Sequence, residues 1–139
     1  MLKNVTYRTS QEINVSIVIP RMQAALEIET ELTLQEIAHQ IGYAIGLTFN
    51  EDVEGIYEEI PALVAFCIGH MYGIYESSGG KDSEEKRRMY LDIRPSLHPA
   101  DINLKLKDCE ITRLDVGDYI AALLYTKAGL TFKVLPPIL

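Results

Sequence analysis

Hydrophobic and polar positions alternate along most of this chain, and the period of the alternation changes twice. Ile13, Val15, Ile17 and Ile19 fall on every second position, the spacing of a half-buried strand, and Pro20 is expected to stop it. Leu26, Ile28, Thr30 and Leu32 then alternate with Glu27, Glu29 and Glu31, which predicts a strand with one apolar and one acidic face. At Thr33 the period switches. Thr33-Leu34-Gln35-Glu36 reads as a capping box, in which the threonine hydroxyl accepts from a first-turn amide and the glutamate reaches back. Leu34, Ile37, Ala38, Ile41 and Ile45 follow at spacings of three and four, the stripe of an amphipathic helix. Gly46 is placed for the left-handed C-terminal cap, and Thr48 and Phe49 begin the next strand.

The segment 50–59 carries an acidic run with Gly55 at a turn. From Ile60 to Glu76 the chain is weakly polar and predicts two strands, or one bent strand, broken near Gly69 or Gly73; a short helix over 61–67 competes with this reading. Residues 77–82 read as a turn. Met89, Leu91 and Ile93 alternate as a strand up to Pro95. Residues 96–101 form a loop, and Ile102, Leu104 and Leu106 alternate again. Asp115 is positioned to cap a second helix, with Val116, Tyr119, Ile120, Leu123 and Leu124 as its buried stripe and Gly129 as its stop. Residues 130–134 make a last strand. Gly-Leu-Thr-Phe occurs at both 46–49 and 129–132, each time after a strand and a capped helix. Two such units, with strands between them, predict a single α+β domain over residues 1–139: a mainly antiparallel sheet with two principal helices on one face, a split βαβ, ferredoxin-like or related sandwich.

Charge changes the picture more than composition does. The chain of 139 residues has a net charge of −7, and the excess lies in one half. Residues 1–80 hold eleven acids against three bases, and residues 81–139 nine against ten. No lysine or arginine occurs from Met22 to Gly80, where ten carboxylates fall, five of them within residues 50–59. Such a field repels nucleic acid and anionic lipid and attracts basic partners, so no nucleic-acid or membrane partner is expected. The two cysteines, Cys67 and Cys109, sit in apolar contexts as small hydrophobes. The N-terminus lacks the apolar core of a signal peptide, and the expectation is a soluble, cytoplasmic protein.

Catalytic chemistry finds little to stand on. His39 falls on the outer side of the first helix, His98 lies in a loop, and His70 reads as a satisfied core or edge histidine. Cys67 and His70 have a ligand-like spacing, but no second pair completes a tetrahedral metal site. Residues 78–83 lack the first glycine and the spacing of a phosphate loop, and the carboxylates at 51–59 do not match a calcium loop. No enzyme activity, cofactor or metal is expected. The positions that stand out are Glu51, Asp52, Glu54, Tyr57, Glu58 and Glu59, a cluster suited to contact a basic protein, with the tyrosine as an amphipathic contact residue.

One resemblance bears on this. The order of Leu34-x-x-Ile37-Ala38-x-x-Ile41-Gly42, Leu47-x-Phe49, Tyr57-Glu-Glu-Ile-Pro61-Ala-Leu-Val, Tyr90-x-Asp-Ile and Asp115-x-x-Asp118-Tyr119-Ile-Ala-Ala-Leu-Leu124 resembles the small acidic immunity proteins of bacterial polymorphic-toxin and contact-dependent growth inhibition systems, over roughly residues 26–134. The resemblance implies a non-enzymatic protein that binds one cognate toxin domain in the cytoplasm and blocks its active site or substrate surface, the toxin often being a nuclease with a basic groove. The other reading is a small ferredoxin-like module that binds a ligand or regulates, which requires a pocket between helix and sheet.

Overall fold

The computed structural model describes residues 12–58, 60–77, 86–96 and 105–136, and within these the side chains of 12–20 and 105–112 fall outside the description. The elements run β1 (Glu12–Thr30), α1 (Leu34–Ile45), β2 (Asn50–Glu51), β3 (Ala62–Cys67), β4 (His70–Glu76), β5 (Arg87–Pro95), β6 (Lys105–Asp115), α2 (Gly117–Ala128) and β7 (Lys133–Val134). The class is the expected α+β: a mainly antiparallel sheet with two helices. Its strand order is β2-β3-β4-β5-β1-β6, with β7 also paired to β1. The β1–β6 ladder is parallel and the other ladders are antiparallel. The strands on either side of α1 are not neighbours, because β1 is interior and β2 lies at the opposite edge.

Pro20 does not stop β1, contrary to its reading as a strand terminator. Among the described residues, the strand at Pro20 pairs with β6 alone, opposite Thr112, and β5 joins its other side from Ala24 onward. Proline is tolerated in a strand where one side lacks a neighbour, because its missing N–H is not called upon there. Three other boundaries shift. The strands expected from Thr48 and from Leu130 are only the two-residue pieces β2 and β7. The strand expected from Ile102 is seen from Lys105 and runs on to Asp115; residues 102 and 104, like the turn over 78–82, lie outside the described residues. The helical alternative for 61–67 is not taken: β3 and β4 form a hairpin that turns at Ile68-Gly69.

Helix α1 starts as its sequence dictates. The Glu36 amide donates to Thr33 Oγ1 at 3.1 Å and the Thr33 amide donates to Glu36 Oε1 at 2.8 Å. Gly46 closes the helix with φ +79, where a side chain would clash with its own backbone. Helix α2 departs from expectation. Its N-cap is Val116, without a side-chain cap, and Asp115 Oδ1 instead accepts from the Gly117 amide at 2.9 Å. Tyr119, assigned to the buried stripe, is exposed, while Ile120 and Leu124 are buried.

Both helices pack on one face of the sheet. Leu26 and Ile28 of β1, Leu63 of β3, Ile74 of β4 and Met89, Leu91 and Ile93 of β5 meet Leu34, Ile37, Ala38 and Ile41 of α1 and Ile120 and Leu124 of α2 in one core. Cross-strand register stacks these side chains in rows: Leu26 opposite Leu91 and Leu91 opposite Ile74. Each fully buried aliphatic side chain contributes about 1.5–3 kcal/mol by leaving water, so this layer dominates stability. Among the described residues, no helix is long and apolar enough to cross a membrane.

Candidate functional site

Side chains alternate across a strand, so the residues between the core positions point to the other face. On that face Glu27 stands opposite Tyr90 and Tyr90 opposite Tyr75, while Asp92 pairs with Gly73 and Gly73 with Val64. The acidic segment folds over this side. Asp52 organises it: Oδ1 accepts from the Ile56 amide at 2.9 Å and Oδ2 from the Tyr57 amide at 2.8 Å. Backbone turns follow, with the Gly55 amide donating to the Asp52 carbonyl at 3.1 Å and the Glu58 amide to the Gly55 carbonyl at 2.9 Å. Gly55 adopts φ +69 and Glu58 φ +57. The expected turn at Gly55 is present.

Tyr57 fixes the loop to the sheet. Only 8% of the residue is exposed. Its ring stacks on Tyr75 at 4.9 Å between centroids, and Tyr75 stacks on Tyr90 at 5.3 Å. The Arg94 guanidinium lies 5.2 Å from the Tyr57 ring centroid, within cation–π range. The space for the ring exists because residue 73 is glycine: a Cβ there would strike the Tyr57 hydroxyl and ring. Tyr57, Val64 and Met71 form a second, smaller core, with Ala62 and Tyr75 against it. The Tyr57 hydroxyl is buried and has no hydrogen-bond partner among the described residues. Burial raises its pKa, and the neighbouring Arg94 only partly opposes that. Arg94 stands close enough to act on the hydroxyl through its charge, outside hydrogen-bond geometry. Burial likewise pushes Tyr75 up to about 12, and burial raises Asp92 against the pull of Arg94.

Structure separates the six positions singled out by sequence. Glu51, Glu54 and Glu58 are exposed. Asp52 is half-buried and spends both carboxylate oxygens on the loop's own amides. Tyr57 faces the sheet as an anchor, not solvent as a contact residue. Glu59 lies outside the described residues. On the acidic face expected of β1, Arg88 reaches Glu27 at 3.1 Å and Glu29 at 2.8 Å, and its hydrogen bond and charge lower the Glu29 pKa. Arg87 lies 3.8 Å from Glu76. Among the described residues, arginines of β5 thus meet three carboxylates of the base-free stretch, Glu27, Glu29 and Glu76. Among the described residues, no salt bridge reaches Glu51, Asp52, Glu54 or Glu58.

Two features escaped the sequence reading. Beside the loop runs a groove of about 400 Å³, bounded by Glu51 at the end of β2, by Val53, Glu54 and Ile56 of the loop and by Val64 and Phe66 of β3. Val53 is 85% exposed and Phe66 57%. At the hairpin tip, Ile68 is 91% exposed with φ +43, followed by Gly69 at φ +78. Positive φ at both central residues is the two-residue hairpin turn that favours Asn-Gly. A β-branched residue there costs on the order of 1–3 kcal/mol. The alternation Ala65-Phe66 was a signal for the first feature, since it turns Phe66 away from the core. The Ile68-Gly69 pair carried no legible signal, because isoleucine is not a turn residue.

The hairpin is held from beneath. His70 is buried and stands opposite Cys67 across the ladder. Its Nε2 accepts from the Met22 amide at 2.9 Å, and Nδ1 lies 3.0 Å from the Ile68 carbonyl. The network assigns the Nδ1–H tautomer, which uses both nitrogens structurally and leaves none to act as a base towards Cys67. A separate cleft of about 580 Å³ lies between α1 and β2, with His39, Tyr43, Phe49 and Glu51 among its walls. Among the described residues, no three His, Cys, Asp or Glu side chains are grouped to hold a metal. Compared with protein-family models, curated proteins and solved structures, the chain matches none. The geometry therefore defines an exposed acidic loop, pinned by one aromatic ring, beside an apolar-walled groove.

Proposed function

We propose that this chain is a cytoplasmic immunity or inhibitor protein, which binds and neutralises a cognate bacterial toxin domain, a basic nuclease, through the surface formed by Glu51, Glu54 and Glu58, with Asp52 and Tyr57 holding the loop in shape. The observation that carries this reading is the contrast in charge pairing: Glu27 and Glu29 of β1 and Glu76 of β4 are met by arginines, whereas Glu51, Glu54 and Glu58 are exposed without a basic partner among the described residues. Uncompensated carboxylates repel one another, and a basic partner relieves that cost while gaining association rate by steering. The resemblance to immunity proteins supports the toxin as that partner.

The test is to co-express the chain with the toxin domain encoded immediately upstream of its gene. Growth is expected to be rescued and a stable complex recovered. Persistent growth arrest with no complex would refute the reading. A second reading, a small-ligand module, is favoured by the cleft beside α1, whose volume lies in the range of ligand sites. It requires thermal stabilisation by a metabolite, and an unchanged melting temperature across a metabolite panel would remove it.

A further inference from the structure

We infer that the groove between the acidic loop and β3, together with the β3–β4 hairpin tip, is a docking site for a protein segment in which arginine or lysine alternates with bulky apolar residues. The inference rests on the protein-binding reading above and names the chemistry of the partner. Carboxylates alone would ask only for positive charge. Here they share a groove of about 400 Å³ with Val53, Ile56 and Phe66, side chains that are exposed although the sheet has a core to receive such residues. Arginine and lysine suit such a groove, because their aliphatic stems lie along apolar surface while the charged head seeks the carboxylates at the rim. Glu51 and Glu54 bound the groove, which fixes where that head is placed.

The hairpin tip extends the apolar contact. Ile68 stands two residues beyond Phe66 and is the most exposed large hydrophobic side chain described, at 91%. It occupies a turn position with φ +43 that disfavours it, and it packs in neither core cluster. Folding therefore gains nothing visible from an isoleucine there, whereas a partner's apolar side chain would. His70 holds the tip in place through the Ile68 carbonyl and the Met22 amide, so the post is presented on a fixed base. The charge of the loop selects the partner's sign, and the apolar residues set how tightly it stays.

Three synthetic hexapeptides test this on the whole chain: arginine alternating with leucine, arginine alternating with serine, and glutamate alternating with leucine. The arginine–leucine peptide is expected to bind at least about tenfold more tightly than either control. In two-dimensional amide spectra it should shift residues 51–56 and 64–68 and leave α2 unmoved. Phe66→Ser and Ile68→Asn should each weaken it by about fivefold or more. Ile68→Asn also relieves the turn, so at least one variant keeps its fold. Equal binding of the arginine–serine peptide would reduce the site to charge alone and overturn the inference, as would binding unaffected by Ile68→Asn or no binding by any peptide. Peptide binding without toxin neutralisation would remove the inhibitor reading and keep the groove; neutralisation with no peptide binding would do the reverse.

Discussion

The two faces of the one sheet are covered in opposite ways. On the first, two helices lay aliphatic side chains over Leu26, Leu91 and Ile74 in one continuous core. On the second, among the described residues, a loop is fixed by one aromatic ring seated over Gly73, beside a row of stacked tyrosines and the half-buried carboxylate of Asp92. The first face follows the periodicity of its strands and of α1, and α1 is capped as its sequence dictates. The second depends on particular pairings: Tyr57 with Gly73, Asp52 with two amides, Arg94 with the Tyr57 ring. The comparison teaches that stability and presentation are divided between the faces. The helix side supplies the free energy, and the loop side can hold exposed acids and apolar groups that would be unfavourable in an independent element.

The division breaks most visibly if the helix side is cut. Leu91→Ala removes a fully buried side chain at the centre of the rows and should cost about 2–5 kcal/mol, read by denaturant unfolding as a fall in midpoint. Gly73→Ala tests the loop side. The added methyl meets the Tyr57 ring, so the loop must lift or the strand must shift. The expected cost is about 1–3 kcal/mol, accompanied by faster amide exchange over 52–58 and unchanged exchange in α1. A loss spread evenly over both regions would show that the faces are not separable.

Ile68→Asn has the opposite sign. Asn-Gly suits the two-residue turn, and the variant is expected to gain about 1 kcal/mol while binding the arginine–leucine peptide less well. A stability gain at the expense of binding marks a position held for contact.

The smallest effect sharpens the electrostatic side. Asp92 has its pKa raised by burial, so the folded chain keeps a proton that the unfolded chain has already released. Stability then falls as pH rises from the ordinary aspartate range through the raised folded value, and above it the buried charge is a constant cost. Asp92→Asn should therefore be more stable than the wild type at neutral pH and equal to it below about pH 3.9. By the same sign, stability should fall again above pH 10 as Tyr75, held at about 12, resists an ionisation that is free in the unfolded chain. Absorbance of tyrosinate against pH reads this directly.

The helix-covered half was largely legible in sequence because local rules determine it. The capping box at Thr33 and Glu36, the stripe through Ile41, the Gly46 cap and the alternation of Met89, Leu91 and Ile93 all behave as their spacing dictates. Pro20 misled because its effect depends on whether a neighbour occupies the other side of the strand, which is a property of the sheet and not of the residue. Tyr119 misled because helical spacing places it beside Ile120 without saying how wide the buried stripe is. The site was legible only as charge. That Glu27 and Glu29 are answered by Arg88 needed the register between two strands far apart in sequence. That Tyr57 is an anchor needed the empty space at Gly73, for which a glycine in mid-strand was the sole hint.

The central claim is that Glu51, Glu54 and Glu58, which meet no basic partner among the described residues, present an attractive surface to a basic protein. It is tested most directly by the association rate of the chain with the proposed partner, a basic toxin domain, measured against salt for the wild type and for the variant combining Glu51→Gln, Glu54→Gln and Glu58→Gln. The wild-type rate should fall steeply with salt, and the variant should associate about tenfold more slowly at low salt with a flatter slope. Equal rates and equal slopes for the two proteins would contradict the claim.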